Sequence, residues 1–402
     1  VFQTVVGLVC LVAIAYAGYH RAMPRSRWPA WTRFFFLSGI EFIFIGLFLG
    51  EQFVGLLDGP TIERLNPLFS LGLGYFGLIF GLQFEYEKIR RFPAAFLAST
   101  AVQAAVTFLV VFAVFLFLFY RMDNLPALVL PAFLLAAVSC CSSPALTAML
   151  IQEQRPARQP EIDLIRYIAG LDAVIGFTLF GVALCLTPAA PAPFGAGFPP
   201  ALQWLGLSVS FGIAMGFALH LLTQVHCAES ELWVFTIGIL AFTAGASLFF
   251  GLSPLFVNMV AGVAAANLPG SKDRVFMMLF RQEKPFYIVF LILAGAVWQP
   301  VPAAGVLGLG LLYVAARFAG KICGGFVAAR YAAGRLSVSP WIGAALISQS
   351  GVAVAMAMDL FLSGGRAVGQ LVPALIAAVV FNELISPLMA SRLPGTVRGT
   401  SR

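Results

Sequence analysis

The chain is 402 residues long, 60% hydrophobic and only 10% charged, with a formal net charge of +7 and a mean hydropathy of +0.94. A soluble domain carries about a quarter charged residues, so this composition excludes a water-soluble globule and leaves a polytopic membrane protein. The basic residues flank apolar runs and form no single basic face, which excludes a nucleic-acid surface. Six cysteines (Cys10, Cys140, Cys141, Cys185, Cys227, Cys323) lie mostly within apolar segments at no metal-binding spacing, and read as small buried hydrophobes. The first apolar run is followed by an Arg-rich loop, the reverse of a cleavable signal's flanks. The chain opens inside that run, so a short leading piece is expected before it.

A helix needs roughly 20 apolar residues to cross the hydrocarbon layer. Runs of that kind predict an all-α protein with thirteen spans in one transmembrane unit. They lie near 3–20, 33–57, 66–85, 94–120, 126–151, 164–187, 201–224, 231–250, 253–267, 284–299, 302–329, 338–362 and 367–391. Only FGLSP divides the eighth from the ninth. With the N-terminus outside, 19 of the 24 Lys and Arg fall in inner loops and three (Arg64, Arg121, Arg366) in outer loops; Arg317 and Lys321 lie within the eleventh run. That bias follows the positive-inside rule and puts the C-terminus in the cytoplasm. The longest polar stretches, HRAMPRSRW and QEQRPARQP, are linkers, so transport is the natural class.

Charged side chains inside a span cost a few kcal/mol at a helix centre and therefore point to function. Five acids fall there: Glu41, Glu51, Asp172, Asp359 and Glu383. Glu51 and Asp359 lie near outer ends, where water is close, and read as structural. Glu41, among the glycines of GIEFIFIGLFLG, reads as a helix-packing residue. Glu383, in FNELISP, shares a polar, distorted helix end with Asn382 and Pro387 and fits either role. Asp172, in RYIAGLDAVIGF, lies roughly 12 Å in from the inner end of its helix. A desolvated carboxylate can hold a proton or a small monovalent cation but not comfortably both, and that competition alone couples an ion to a proton. Such a site has to meet water, so Asp172 is expected on an aqueous path. The bland alternative is an aspartate bonded to neighbouring backbone as a packing device.

Two spans are interrupted. VSCCSSPALTAML (138–150) places Pro144 behind Ser142 and Ser143, and proline removes an amide donor and clashes with the preceding turn. ALISQSGVAVAM (345–356) has Ser348, Gln349, Ser350 and Gly351 in mid-span. These helices are seven apart and so cross in opposite directions; the same shift pairs the fourth with the eleventh and the sixth with the thirteenth. Matching interruptions of this kind mark an inverted-repeat transporter, although Gly, Ser and Pro are also common at ordinary helix contacts. In YVAARFAGKICGGFVAARYA, Arg317 and Lys321 are one turn apart on one face; either can anchor broken-helix ends or pair with an acid. His20, His220 and His226 fall near helix ends and read as interfacial. No nucleophile–base or metal-ligand spacing occurs, so neither an enzyme nor a cofactor is expected.

An ordered series of segments carries a family likeness: GIEFIFIGLFLG, FGLIFGLQFEYEKIRRFP, SSPALTAMLIQE, GLSPLFVNMVAGVAAANLP, RFAGKICGGFVAARYA and FNELISPLMASRL. Over nearly its whole length the chain resembles the monovalent cation/proton antiporters, especially the bacterial branch of sodium/proton and glutathione-gated potassium/proton exchangers. The resemblance implies an elevator-like transporter of the bacterial inner membrane, usually a homodimer. Its core would span about 66–187 and 284–391, and its dimerisation part about 1–57 and 201–267. Two helices would cross at unwound centres beside an ion-binding aspartate. Carried over, that aspartate is Asp172, with Ser142, Ser143, Gln349 and Ser350 offering further ligands to Na⁺ or K⁺. Lys321, Arg317, Pro144, Gly351 and Glu383 would support the core. The family's sixth-helix motif is a paired polar–acid or acid–acid dipeptide, whereas this chain reads Leu171-Asp172-Ala173; Asp172 fits either member, and is matched to the second because the first would put Ala173 where the transporting carboxylate should stand. Ser143 stands where some relatives have Asp, and Gln349-Ser350-Gly351-Val352 lacks their charged pair. One acidic carrier implies electroneutral exchange, one cation per proton. The same departures keep two alternatives: a partner-gated cation efflux channel, and a non-transporting sensor or scaffold on an antiporter fold.

Overall fold

A computed structural model describes residues 2–20, 38–121, 125–144, 147, 159–186, 199–224, 228–269, 272–298, 304–332, 339, 341–363 and 371–390. Among them the chain is all helical, apart from an isolated bridge between Gly50 and Leu57. The first half comprises α1 (Phe2–His20), α2 (Ile40–Leu49), α3 (Gly59–Arg64), α4 (Asn66–Leu82), α5 (Tyr86–Arg90), α6 (Ala94–Arg121), α7 (Leu125–Cys140) and α8 (Gln159–Leu186). The second half comprises α9 (Pro200–Gln224), α10 (Glu229–Phe249), α11 (Pro254–Asn267), α12 (Lys272–Arg281), α13 (Glu283–Val297), α14 (Ala304–Ala332), α15 (Ile342–Ala345), α16 (Ser350–Ser363) and α17 (Leu371–Ala390).

Five of these, α6, α8, α9, α10 and α14, are each long and apolar enough to cross a membrane; shorter apolar helices of 10–17 residues lie among them. The fifth and twelfth runs are shorter because each is split. α7 stops at Cys140 before a non-helical stretch at 141–143, and 346–349 separate α15 from α16. FGLSP does divide two helices: Gly251 turns the chain at φ +69°, and the Ser253 hydroxyl accepts from Phe256 N (3.0 Å) to cap α11. The basic segments 21–37, 151–158, 333–338 and 391–402, on which the orientation reading rests, lie outside the described residues, as do Cys227, His226 and Arg366.

Helices meet where glycine lets backbones touch. A Cβ on Gly77 or Gly81 of α4 would strike the Leu255 or Met259 carbonyl of α11, so these two helices run parallel in contact. Gly46 and Gly295 bring α2 equally close to α13. Along α14, Gly320 lies on Thr107 of α6, Gly324 on Gln103, and the Ala328 carbonyl accepts from Ser99 Oγ (3.2 Å). Residue numbers rise on one helix as they fall on the other, so α6 and α14 are antiparallel, as helices seven runs apart should be. The expected division put 66–85 and 284–299 in the core. At backbone distance α4 meets α11 and α13 meets α2.

Some readings of exposure change. Cys323 is exposed and Cys10 partly so, because they lie on outward helix faces, while Cys140, Cys141 and Cys185 are buried. His220 is buried and bonded to Gln224 (2.8 Å) rather than interfacial. Glu51 is exposed as expected, but Asp359 is fully buried.

Candidate ion site

Pro144 accounts for the first break. With no amide hydrogen there, and with its ring against the preceding turn, α7 ends and its last carbonyls lose their helical partners. Two buried cations from α14 take them. Arg317 Nε donates to Ser139 O (3.2 Å) and Nη2 to Cys141 O (2.8 Å); Lys321 Nζ donates to Cys140 O (2.5 Å). The same guanidinium reaches the second break, where Nη1 donates to Ile347 O and Nη2 to Leu346 O (3.4 Å). Two helix C-termini, each partially negative, thus converge on one arginine. The breaks are also joined directly, Ser143 N donating to Ser348 O (2.9 Å) and Thr147 Oγ1 to Ala345 O (3.3 Å).

Asp172 stands beside this crossing, about 20 Å from the start of α8. The helix begins at Gln159, five residues earlier than its apolar run, with Glu161 at its positive end accepting from Ser339 N (3.2 Å). Asp172 Oδ1 accepts from Ser142 N (3.0 Å), and Oδ2 accepts from Ser142 Oγ (2.6 Å) and Lys321 Nζ (2.9 Å). Ser142 has one hydroxyl hydrogen and a second acceptor in reach, Leu346 O at 3.0 Å, so it serves only one at a time. The three protons of Lys321 go to Cys140 O, Ser142 Oγ and Asp172 Oδ2. Spacing left the roles of the two cations open. In the structure Lys321 faces the carboxylate and Arg317 the carbonyls.

The second break repeats the first. Glu383 of α17 accepts from Gln349 N (2.7 Å), as Asp172 accepts from Ser142 N. The Gln349 side chain, expected to face the ion, is instead spent within the protein. Its Nε2 donates to Val138 O (2.8 Å) and Tyr313 Oη (2.9 Å), and its oxygen accepts from Asn382 Nδ2 (2.9 Å). Gly351 lies against the Tyr287 ring, with no room for a Cβ. The Ser350 side chain lies outside the described part. Sequence reasoning missed Tyr313, although 313, 317 and 321 recur every four residues on one face of α14. The buried Ser348 hydroxyl, one of the polar groups read in the second break, makes no hydrogen bond among the described residues.

Asp172, Arg317 and Lys321 are all 0% exposed. The expected aqueous path is therefore closed in this conformation. Oδ2 accepts two hydrogen bonds and Oδ1 one, so Oδ1 keeps the acceptor capacity nearest to spare.

The sequence model described as "Sodium/hydrogen exchanger, transmembrane" matches residues 34–393. The chain belongs to the sodium/hydrogen exchanger family. This exchanger is thus a multi-pass membrane transporter of the monovalent cation/proton antiporter superfamily, not an enzyme. Among solved structures it is similar to the sodium proton antiporter MjNhaP1 from Methanocaldococcus jannaschii at pH 8, with 13% identity, 97% of each chain covered and a TM-score of 0.63. An electron-microscopy map of the same antiporter gives 12% identity, 98% and 97% coverage, and a TM-score of 0.61. At that identity the likeness shows the exchanger's fold alone. No curated protein matches it.

Proposed function

We propose that this exchanger swaps one monovalent cation, Na⁺ or K⁺, for one proton at Asp172. A single observation carries the reading: one buried carboxylate is held by an unwound backbone amide, a serine hydroxyl and a lysine where two broken helices meet. Protonated, the acid is neutral and needs none of these partners' charge. Ionised, it attracts either the Lys321 ammonium or a bare cation. The Ser142 hydroxyl and the Leu346 carbonyl, 3.0 Å apart, are oxygens of the type such cations accept. Lys321 retains Cys140 O when the carboxylate turns to an ion. Because Asp172 is the one acid hydrogen-bonded to Ser142 and Lys321 among the described residues, one proton balances one cation and no net charge moves.

Access alternates, on this reading, when a core of α6–α8 and α14–α17 slides against a scaffold of α1–α4 and α9–α13. The glycine contacts of α4 with α11 and of α13 with α2 support that division. A homodimer joined through the scaffold, with the N-terminus outside and the C-terminus in the cytoplasm of a bacterial inner membrane, completes the proposal.

The test is exchange in everted vesicles, read by dequenching of a pH-sensitive dye. Na⁺ or K⁺ should alkalinise the lumen with the parent chain, and Asp172→Asn should abolish the response. Coupling that persists in Asp172→Asn removes the aspartate from the mechanism. A silent parent chain favours a sensor or scaffold, and cation flux without proton movement favours a gated channel. In proteoliposomes, a membrane potential built by exchange alone would overturn the one-for-one ratio.

A further inference from the structure

The proposed seam between core and scaffold is lined by rings and small residues. Phe80 meets Phe177, Phe69 meets Phe361, and Phe256 lies on Gly181. Ser253 and Asp359 interrupt it. Asp359 lies on α16, the half-helix that begins at the second break, and is 0% exposed. Its Oδ2 accepts from the Ser253 hydroxyl at 2.5 Å, its Oδ1 makes no hydrogen bond among the described residues, and Ser363 stands one turn on. Ser253 caps α11 and belongs to the scaffold. Of the elements around α16, α8 brings Cys185 close enough to feel the Asp359 charge. Helices α4, α7 and α11 carry no charged side chain; their titratable groups are Tyr75 on α4 and Cys140 on α7. Glu383 of α17 and Tyr287 of α13 face the first turn of α16, about 12 Å along its axis. Glu283 and Lys284 lie at the start of α13, before Tyr287.

We propose that Asp359 is a second proton-binding group, a positioning residue that ties core to scaffold when ionised and frees the core when protonated. A hydrogen bond to a carboxylate is stronger than one to a neutral acid. A carboxylate drawn off Ser253 is also left as a buried charge without its donor, whereas a carboxylic acid is not. The slide is therefore easiest with the proton on. This inference rests on exchange by sliding.

Two measurements test it. One is exchange at saturating cation in everted vesicles, from about pH 6 to about pH 9. The other is amide hydrogen exchange of residues 250–257 in purified protein, corrected for intrinsic rates, over the same range. In the parent, exchange should fall on the alkaline side while these amides become more protected. Asp359→Asn, neutral throughout, should remove the alkaline fall, running about threefold or more faster than the parent there, and make protection independent of pH. Ser253→Ala should also raise the alkaline rate and lower protection, and it decides alone if Asp359→Asn does not fold. Variants that keep the parent's pH profile and its pH-dependent protection overturn the proposal. A parent that exchanges no cation removes the transport reading instead, and the amide measurement then decides the lock.

Discussion

Lys321 and Arg317 are both fully buried, yet they face different risks. Lys321 pairs with Asp172, so removing either partner strands the other in a low dielectric, at a cost of about 3–5 kcal/mol. Lys321→Met should therefore lower thermal stability in detergent sharply, and the double variant Lys321→Met/Asp172→Asn should recover most of the loss. Additive losses would refute the pairing. Arg317 has no carboxylate partner among the hydrogen bonds described; it donates to four carbonyls on two helix ends. Arg317→Lys keeps the charge but not the planar fork, so it should loosen both breaks and cost about 1–3 kcal/mol in the same assay. Asp172 was legible in the sequence because an acid in mid-run bears a desolvation cost whatever its neighbours are. Gln349 was not, since what a polar side chain meets depends on Tyr313 and Asn382, far away in the chain. Asp359 misled for a related reason. Nearness to the end of a run suggests water, but Val352 to Leu360 are all buried, with protein on every side of α16.

The two breaks act as elements because their half-helices are pinned by backbone contact. α15 is only four residues long and is held where Gly343 rests on the Lys321 carbonyl of α14 and on Gly325. A β-branched side chain at 343 would push α15 away and carry the Leu346 carbonyl off Ser142 and Arg317. Gly343→Val should thus cost about 1–3 kcal/mol of stability from overpacking, and should depress exchange more than its melting temperature alone accounts for. Vesicle exchange compared at equal amounts of folded protein checks this; full activity would show that α15 position is unimportant. Both interruptions were readable from Pro144 and from the Ser-Gln-Ser-Gly run, since these residues disfavour a continuous helix whatever surrounds them. What the breaks bind was not readable. The repeat of a helix-borne acid accepting a break amide, Asp172 on Ser142 and Glu383 on Gln349, emerges only when both halves are folded.

For the whole molecule, two surface clusters with displaced titrations contribute little to any response near neutral pH. Asp273 and Glu85 hold Lys88 above the ordinary lysine range, so that cluster stabilises below about pH 10 and is lost only as pH rises further. Thr61 holds Asp58 below the ordinary carboxylate range, a contribution present above about pH 4 and lost as pH falls. Neither group titrates between about pH 6 and about pH 9, so neither contributes to pH-dependence there. Whether the buried acids ride on a moving core can be tested directly. Gly181 of α8 faces Phe256 of α11 across the seam, and Phe256→Cys removes the ring that would crowd a side chain at Gly181→Cys. Within the scaffold, Gly18 of α1 faces the Phe42 ring of α2 in the same way. In a chain with Cys10, Cys227 and Cys323 changed to serine, a short bifunctional thiol reagent should stop exchange through the 181–256 pair. The same reagent on Gly18→Cys/Phe42→Cys should leave exchange nearly intact, because α1 and α2 move together. Exchange that survives a complete 181–256 link would mean that the two bodies do not slide past each other at this contact, and that access to Asp172 opens by a smaller, local rearrangement of the breaks.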